Sequence, residues 1–390
     1  MTESNFQKLD ELSRSSGAAA TIDELIELLT QNKKFHELFD ALLLKKKCEM
    51  GLALVLPTSF DDVPDSRLEE FEQCYIATAR QIGEMYLAEN DIPRAWNYLR
   101  MIREPDKVAQ ALDALDANRE GDEETENLIN VALHEGVHPV KGLELLLHTH
   151  GTCNTITALD QQLHQLKPEH RQSAAALLVR NLHSDLTSTL KHEVERKSGA
   201  GSSADTLTEL IADGDWLFAD GNYHIDVSHL NSVVRFARSL EPADPELKLA
   251  MELAEYGTRL AAQFQYPGDP PFDDFYPAHL HFFKVIVDIG RKESLDYFRS
   301  QLDSREGDDH APFVALVLVD LLIRCQLFDE AVAIASEHLT DIDPASGFSF
   351  AQLCQQAGRM EPLRQAARVQ DDLVAYTAAL LQEQAKTSTT

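Results

Sequence analysis

The chain has 390 residues, 35 of them basic and 65 acidic, for a formal charge of −30. A hydrophobic content of 44% excludes wholesale disorder, and the length admits one large domain or a few ordinary ones. The charge argues against nucleic acid and anionic membranes as partners, because phosphate neutralisation is the main sequence-independent source of that affinity.

The first residues, Met1 to Leu12, are polar and acidic with no apolar h-region, which predicts no signal peptide. The longest apolar run, Phe313 to Ile323, is interrupted by Asp320 and is too short to span a bilayer. Cys48, Cys74, Cys153, Cys325 and Cys354 are odd in number, scattered and without a CxxC pair, as expected of reduced thiols in a cytoplasmic protein.

Helical periodicity runs along nearly the whole chain and strand alternation is almost absent, so the predicted class is all-α. Lys45, Lys46 and Lys47 form the only compact basic run and read as a solvated helix face. Pro57 to Ser66 reads as a loop. From Ile76 to Ile102 the pattern predicts two helices joined at Asn90-Asp91-Ile92. Gly83 and Tyr86 lie in the first and Pro93, Ala95, Trp96 and Leu99 in the second. Pro93 suits the first turn of its helix, and Gly83 and Ala95 are small where the two backbones would approach. The spacing of these small, Tyr, Ala and bulky positions resembles the tetratricopeptide repeat. A second match is Leu322 with Ala331 and Ala335 across Gln326-Leu327-Phe328, with weaker echoes at Phe283 to Leu302 and Leu353 to Ala367. The resemblance implies an irregular α-solenoid of antiparallel helix pairs that binds a peptide or protein partner in a concave groove.

Fifteen histidines are more than expected, and eight come in close pairs at 134/138, 148/150, 224/229 and 279/281. The string His134-Glu135-Gly136-Val137-His138 resembles the zincin metalloprotease motif. By that resemblance His134 and His138 would bind zinc and Glu135 would activate the bound water. Gly136 and the following Pro139 oppose a continuous helix, so the segment is predicted to be a corner between a helix ending near Glu135 and another starting at Pro139. A corner can still bring the two imidazoles together. His148 and His150 then suit the last turn of a helix closed by Gly151. Cys153 would precede the next helix, either as an activated nucleophile or as an inert thiol.

The segment 198–205, with its Gly/Ser core, is the expected hinge between an N-terminal half over 1–197 and a C-terminal half over 206–384, with 385–390 as a disordered tail. Next comes Asp220-Gly221-Asn222-Tyr223-His224-Ile225-Asp226-Val227-Ser228-His229. Here Asp226 or Ser228 is a candidate N-cap, while His224, Asp226 and His229 around one helix start could hold a divalent metal or act as an acid/base pair. The helix that follows carries Leu230, Val233, Val234, Ala237 and Leu240 in one stripe, with Arg235 and Arg238 away from it. Helices are also predicted over 247–264, 313–324, 328–338 and 371–384. The aromatic-flanked Pro267 to Asp274 turn is expected to pack down on the helices, and Asp303 to Asp309 to form a charged loop. His279 and His281, at i and i+2, should project in different directions. Phosphate loops, nucleophile elbows, zinc fingers and EF-hand loops are absent from the sequence.

Two functions follow. One is a cytoplasmic helical-repeat protein that binds a peptide or protein. The other is a metal-dependent enzyme, most simply a hydrolase. Its zinc or manganese would be held by His134, His138, His224 and His229, with Glu135 or Asp226 as base.

Overall fold

The computed structural model describes residues 3–199, 204, 206–212, 214–305, 307–340, 342 and 347–387, and the described residues are all-α without strands. Of the expected 198–205 hinge, residues 200–203 and 205 lie outside the described residues, as do 388–390 of the expected tail and Glu306 of the charged loop. The chain separates into two compact units, 1–158 and 159–390.

The first unit begins with α1 (Glu3–Ser15), α2 (Gly17–Gln31), α3 (Phe35–Glu49), α4 (Leu68–Ala88), α5 (Ile92–Leu99), α6 (Asp106–Asp113) and α7 (Glu123–Ile129). A π-turn over Asn130–His134 follows, and then α8 (Pro139–Gln162), whose last residues belong to the second unit. From α1 to α6 each helix packs on the next in the chain, as expected of stacked helix pairs. The predicted pair at Ile76 to Ile102 is α4 with α5. Asp91 caps α5 by accepting from Arg94 N–H at 3.2 Å, and Ala95 and Leu99 are fully buried. Gly83 is required by packing: a Cβ there would lie 2.6 Å from Leu99 Cγ.

The lysine run is only partly a solvated face. Lys45 pairs with Asp23 and Lys46 with Glu70 at the surface, but Lys47 is fully buried. Its Nζ donates to Leu56 O at 2.8 Å and to Asp62, and lies 5.5 Å from the Phe71 ring centroid. A long aliphatic stem lets a lysine enter a core if its ammonium finds acceptors there, and the 57–66 loop supplies Asp62.

The second unit contains α9 (Pro168–Ser198), α10 (Leu207–Ala212), α11 (Val227–Phe236), α12 (Glu246–Thr258), α13 (Phe275–Ile286) and α14 (Arg291–Asp303). It continues with α15 (Ala311–Arg324), α16 (Phe328–His338), α17 (Phe350–Ala357), α18 (Met360–Val369) and α19 (Leu373–Thr387). The long α9 packs on α10, α11 and α12, and from α11 to α19 each helix packs on its successor. Leu322, Ala331 and Ala335 are fully buried where α15 meets α16. The helix predicted over 247–264 ends earlier, at Thr258, and only a 3-10 turn over Ala262–Phe264 follows. Apolar spacing persists beyond Thr258, but a turn at Arg259–Leu260 redirects the chain, and further on Phe272, Phe275 and Tyr276 are buried.

Candidate functional site

The 130–141 corner is held by its own polar atoms. The π-turn ends at His134, Glu135 closes it, and Gly136 turns into the left-handed region at φ 73°. His134 and His138 therefore do not share one helix face. The side chain of His134 is exposed. His138 instead caps α8: its Nδ1 accepts from Lys141 N–H at 3.1 Å, and its Nε2 lies 3.5 Å from Asp113. Glu135 accepts from the Trp96 indole N–H at 2.5 Å and from Arg100 at 3.3 Å, tying the corner to α5. Its carboxylate is committed to an indole and a guanidinium, an arrangement suited to fixing a corner.

At the second cluster, Asp226 is the N-cap of α11. One carboxylate oxygen accepts from Ser228 Oγ at 2.6 Å, Ser228 N–H at 2.8 Å and His229 N–H at 3.3 Å. Those bonds, the Ser228 hydroxyl first, hold its carboxyl below the usual range. Tyr256 Oη lies 2.9 Å from the His224 amide and 3.1 Å from its Nδ1, and Asn222 lies 3.3 Å from its Nε2. Burial pushes the His224 imidazole down, opposed by Glu193. His229 is half-buried on α11.

The remaining candidates are dispersed. His148 is exposed, while His150 lies 2.8 Å from Thr149 Oγ1 and 3.2 Å from Glu126, just before a break in α8 at Gly151. Cys153 is exposed on the helix beyond that break. His279 is buried, with Nδ1 2.7 Å from Phe275 O and its ring stacked on Phe272. His281 stacks on Tyr297 and lies 3.1 Å from Ser294 Oγ. His134 and His138 belong to the first unit and His224 and His229 to the second. Among the described residues no three His, Cys, Asp or Glu side chains are grouped to hold a metal ion.

A different feature emerges within the second unit: a groove of about 670 Å³ walled by α9, α11, α13, α15 and α17. Its apolar lining includes Phe236, Phe282, Leu316, Val317 and Leu353. Four guanidiniums line it (Arg171, Arg235, Arg238 and Arg324) against two carboxylates, Glu241 and Asp320. The geometry follows from the amphipathicity of α11. Leu230, Val233, Val234, Ala237 and Leu240 are fully buried, which turns Arg235 and Arg238 the other way, toward the groove. Arg235 pairs with Asp160 at 2.8 Å. Arg324 is engaged by Asp320 at 2.9 Å, Leu240 O at 2.9 Å and Glu241 at 3.7 Å. Arg238 stacks 4.7 Å from the Phe272 centroid and, among the described residues, donates only its Nε, to Arg235 O at 3.3 Å. Burial, then neighbouring Arg235, push Arg238 down to about 10 against the opposing pull of Asp320 and Asp269, so it remains protonated at neutral pH. Among the described residues neither Arg171 nor Arg238 makes an ion pair. Sequence reading placed Arg235 and Arg238 off the apolar stripe, but Arg171 and Arg324 join them only through tertiary packing.

Comparison with protein-family models, curated proteins and solved structures finds no match to this chain.

Proposed function

We propose that the protein is a cytoplasmic, tetratricopeptide-like helical-repeat protein that binds a segment of a peptide or protein partner in the groove of its second unit. The observation that carries this reading is the groove itself. It is concave, walled by five helices, and mixes aromatic and aliphatic lining with a few directed polar groups, the usual makeup of a ligand site. The consecutive packing of helix pairs supports it, since such scaffolds expose grooves between repeats. Five unpaired cysteines suit a reducing compartment. The metal-enzyme reading draws less support. A bound metal needs several convergent donors, whereas His138, Glu135, His224 and Asp226 each spend polar atoms on local structure.

Selection from a displayed random-peptide library on the full chain is expected to enrich binders. The variant V317W, which puts an indole into the groove from α15, is expected to weaken them at least about tenfold. Absence of any enrichment overturns the reading, and binders indifferent to V317W remove this groove as the site.

A further inference from the structure

We propose that the groove of the second unit is an oxyanion site, in which Arg238 and Arg171 receive a phosphate or carboxylate group of the ligand. This rests on the reading of the groove as the binding site and adds the chemistry it selects. The chain carries −30 overall, so a patch where four guanidiniums face two carboxylates runs against the rest of the molecule. Part of that excess is internally balanced, because Arg235 is held by Asp160 while both groove carboxylates go to Arg324. Among the described residues, Arg171 on α9 and Arg238 just beyond α11 make no ion pair, with Asp320 and Asp269 acting on Arg238 only from further away.

An ionised side chain drawn half out of water without a partner is costly, and an incoming anion relieves that cost. Arg238 is also oriented in advance. Its guanidinium lies on the Phe272 ring and its Nε is tied to Arg235 O, leaving both Nη groups without a protein acceptor among the described residues. A planar donor fork held in this way matches the two oxygens of a carboxylate or phosphate. Like charge gathered by Arg235, Arg238 and Arg324 raises the local potential. The acidic surface further away is screened within about 8 Å at physiological salt. Phe236, Phe282 and Leu316 give the non-ionic part of the ligand an apolar wall. Positively charged side chains on an apolar wall would favour an anion with a carbon body over a free ion.

Calorimetric titration of the full chain with pyrophosphate and, separately, with citrate tests this, at ionic strength matched with sodium chloride. At least one is expected to bind saturably, and which of them binds tells phosphate from carboxylate preference. R238Q and R171Q are each expected to weaken it about tenfold or more. R238K should retain part of the affinity, and K8Q, an equal charge change in the first unit, should leave it unchanged. Circular dichroism of the same samples reports whether each variant folds, and R171Q keeps the test decisive if R238Q does not. Binding that K8Q weakens as much as R171Q, or that survives both groove variants, overturns the proposal. If neither anion binds while displayed peptides still require an open groove, the oxyanion assignment falls and the peptide-binding function stands. If neither anions nor peptides bind, both fall.

Discussion

Two regions concentrate polar residues in opposite ways. In the 130–141 corner of the first unit, Glu135 and His138 have their atoms spoken for by an indole, a guanidinium and a helix-opening amide. In the groove of the second unit, Arg171 and Arg238 make no ion pair among the described residues. The corner resembles a chemical motif in the sequence, and in the structure Glu135 and His138 hold local geometry. The groove leaves no motif in the sequence and keeps unspent hydrogen-bonding capacity. The two regions thus differ in how much of the bonding capacity of their polar residues the fold has already used.

The largest expected effect comes from a fully committed cation. Lys47 is buried with its ammonium on Leu56 O and Asp62, so K47A removes both a packed stem and the anchor of the 57–66 loop. Loss of about 3 kcal/mol is expected in chemical denaturation, from the cavity and the broken pair together. K47M, which refills the volume, should recover part of it. A loss below about 0.5 kcal/mol would show that a buried, saturated cation is not structural, and the contrast with Arg238 would lose its basis.

Next in size is a pH effect in the second unit. Burial, reinforced by Arg238, lowers His279 well below its usual value, and its Nε2 has no hydrogen-bond partner among the described residues. His224 and His281 are also lowered by burial. The unfolded imidazole titrates near 6.5, so as pH falls through that value the unfolded chain takes up protons that the folded one refuses. Stability is therefore complete above about pH 7 and falls as the pH drops from there toward the lowered folded values. The slope approaches about 1.4 kcal/mol per pH unit for His279, and the half-exposed His224 and His281 add only a fraction of that. H279L should flatten the slope by about one histidine's share. An unchanged slope would mean that other groups carry the acid response.

Asp226 offers a sharper test of architecture against chemistry. D226A is expected to cost about 1 kcal/mol through the lost cap of α11, and D226N to restore most of that, because asparagine caps as well as aspartate. A carboxylate needed as a base or metal ligand would not be replaced by an amide. Metal uptake by untagged protein that both variants abolish would return Asp226 to the functional side.

The sequence was most legible where a local rule and the packing agree. Gly83, Ala95 and Leu99 announced the α4–α5 contact, and the 230/233/234/237/240 stripe announced the buried face of α11. The corner at Gly136–Pro139 followed from backbone restrictions alone. Lys47 was misread because helical spacing does not say which of three adjacent lysines turns inward, and its partner Asp62 comes from a loop with no periodicity. The end of α12 was misread because apolar spacing continues past the turn after Thr258. The groove was the least legible feature. Arg171, Arg238 and Arg324 come from α9, the turn after α11, and α15, and only packing brings them to one cavity.

The smallest expected stability effect is also the one that most directly tests the comparison. Arg171 is half-buried, packs at the groove wall and makes no ion pair among the described residues. If its charge served the fold, R171Q would weaken the protein as the loss of a paired cation does. If it is held for a ligand, R171Q should change the unfolding free energy by no more than about 0.5 kcal/mol, the range of substitutions that break no packed or bonded feature. Glutamine keeps the first part of the aliphatic stem and its contacts, and one cation fewer beside Arg235 and Arg238 offsets the contacts that are lost. Denaturation midpoints at low and at physiological salt check this: removal of unscreened repulsion should make R171Q relatively more stable at low salt. A loss above about 1 kcal/mol at both salts would place Arg171 with Lys47 among the residues already spent on structure.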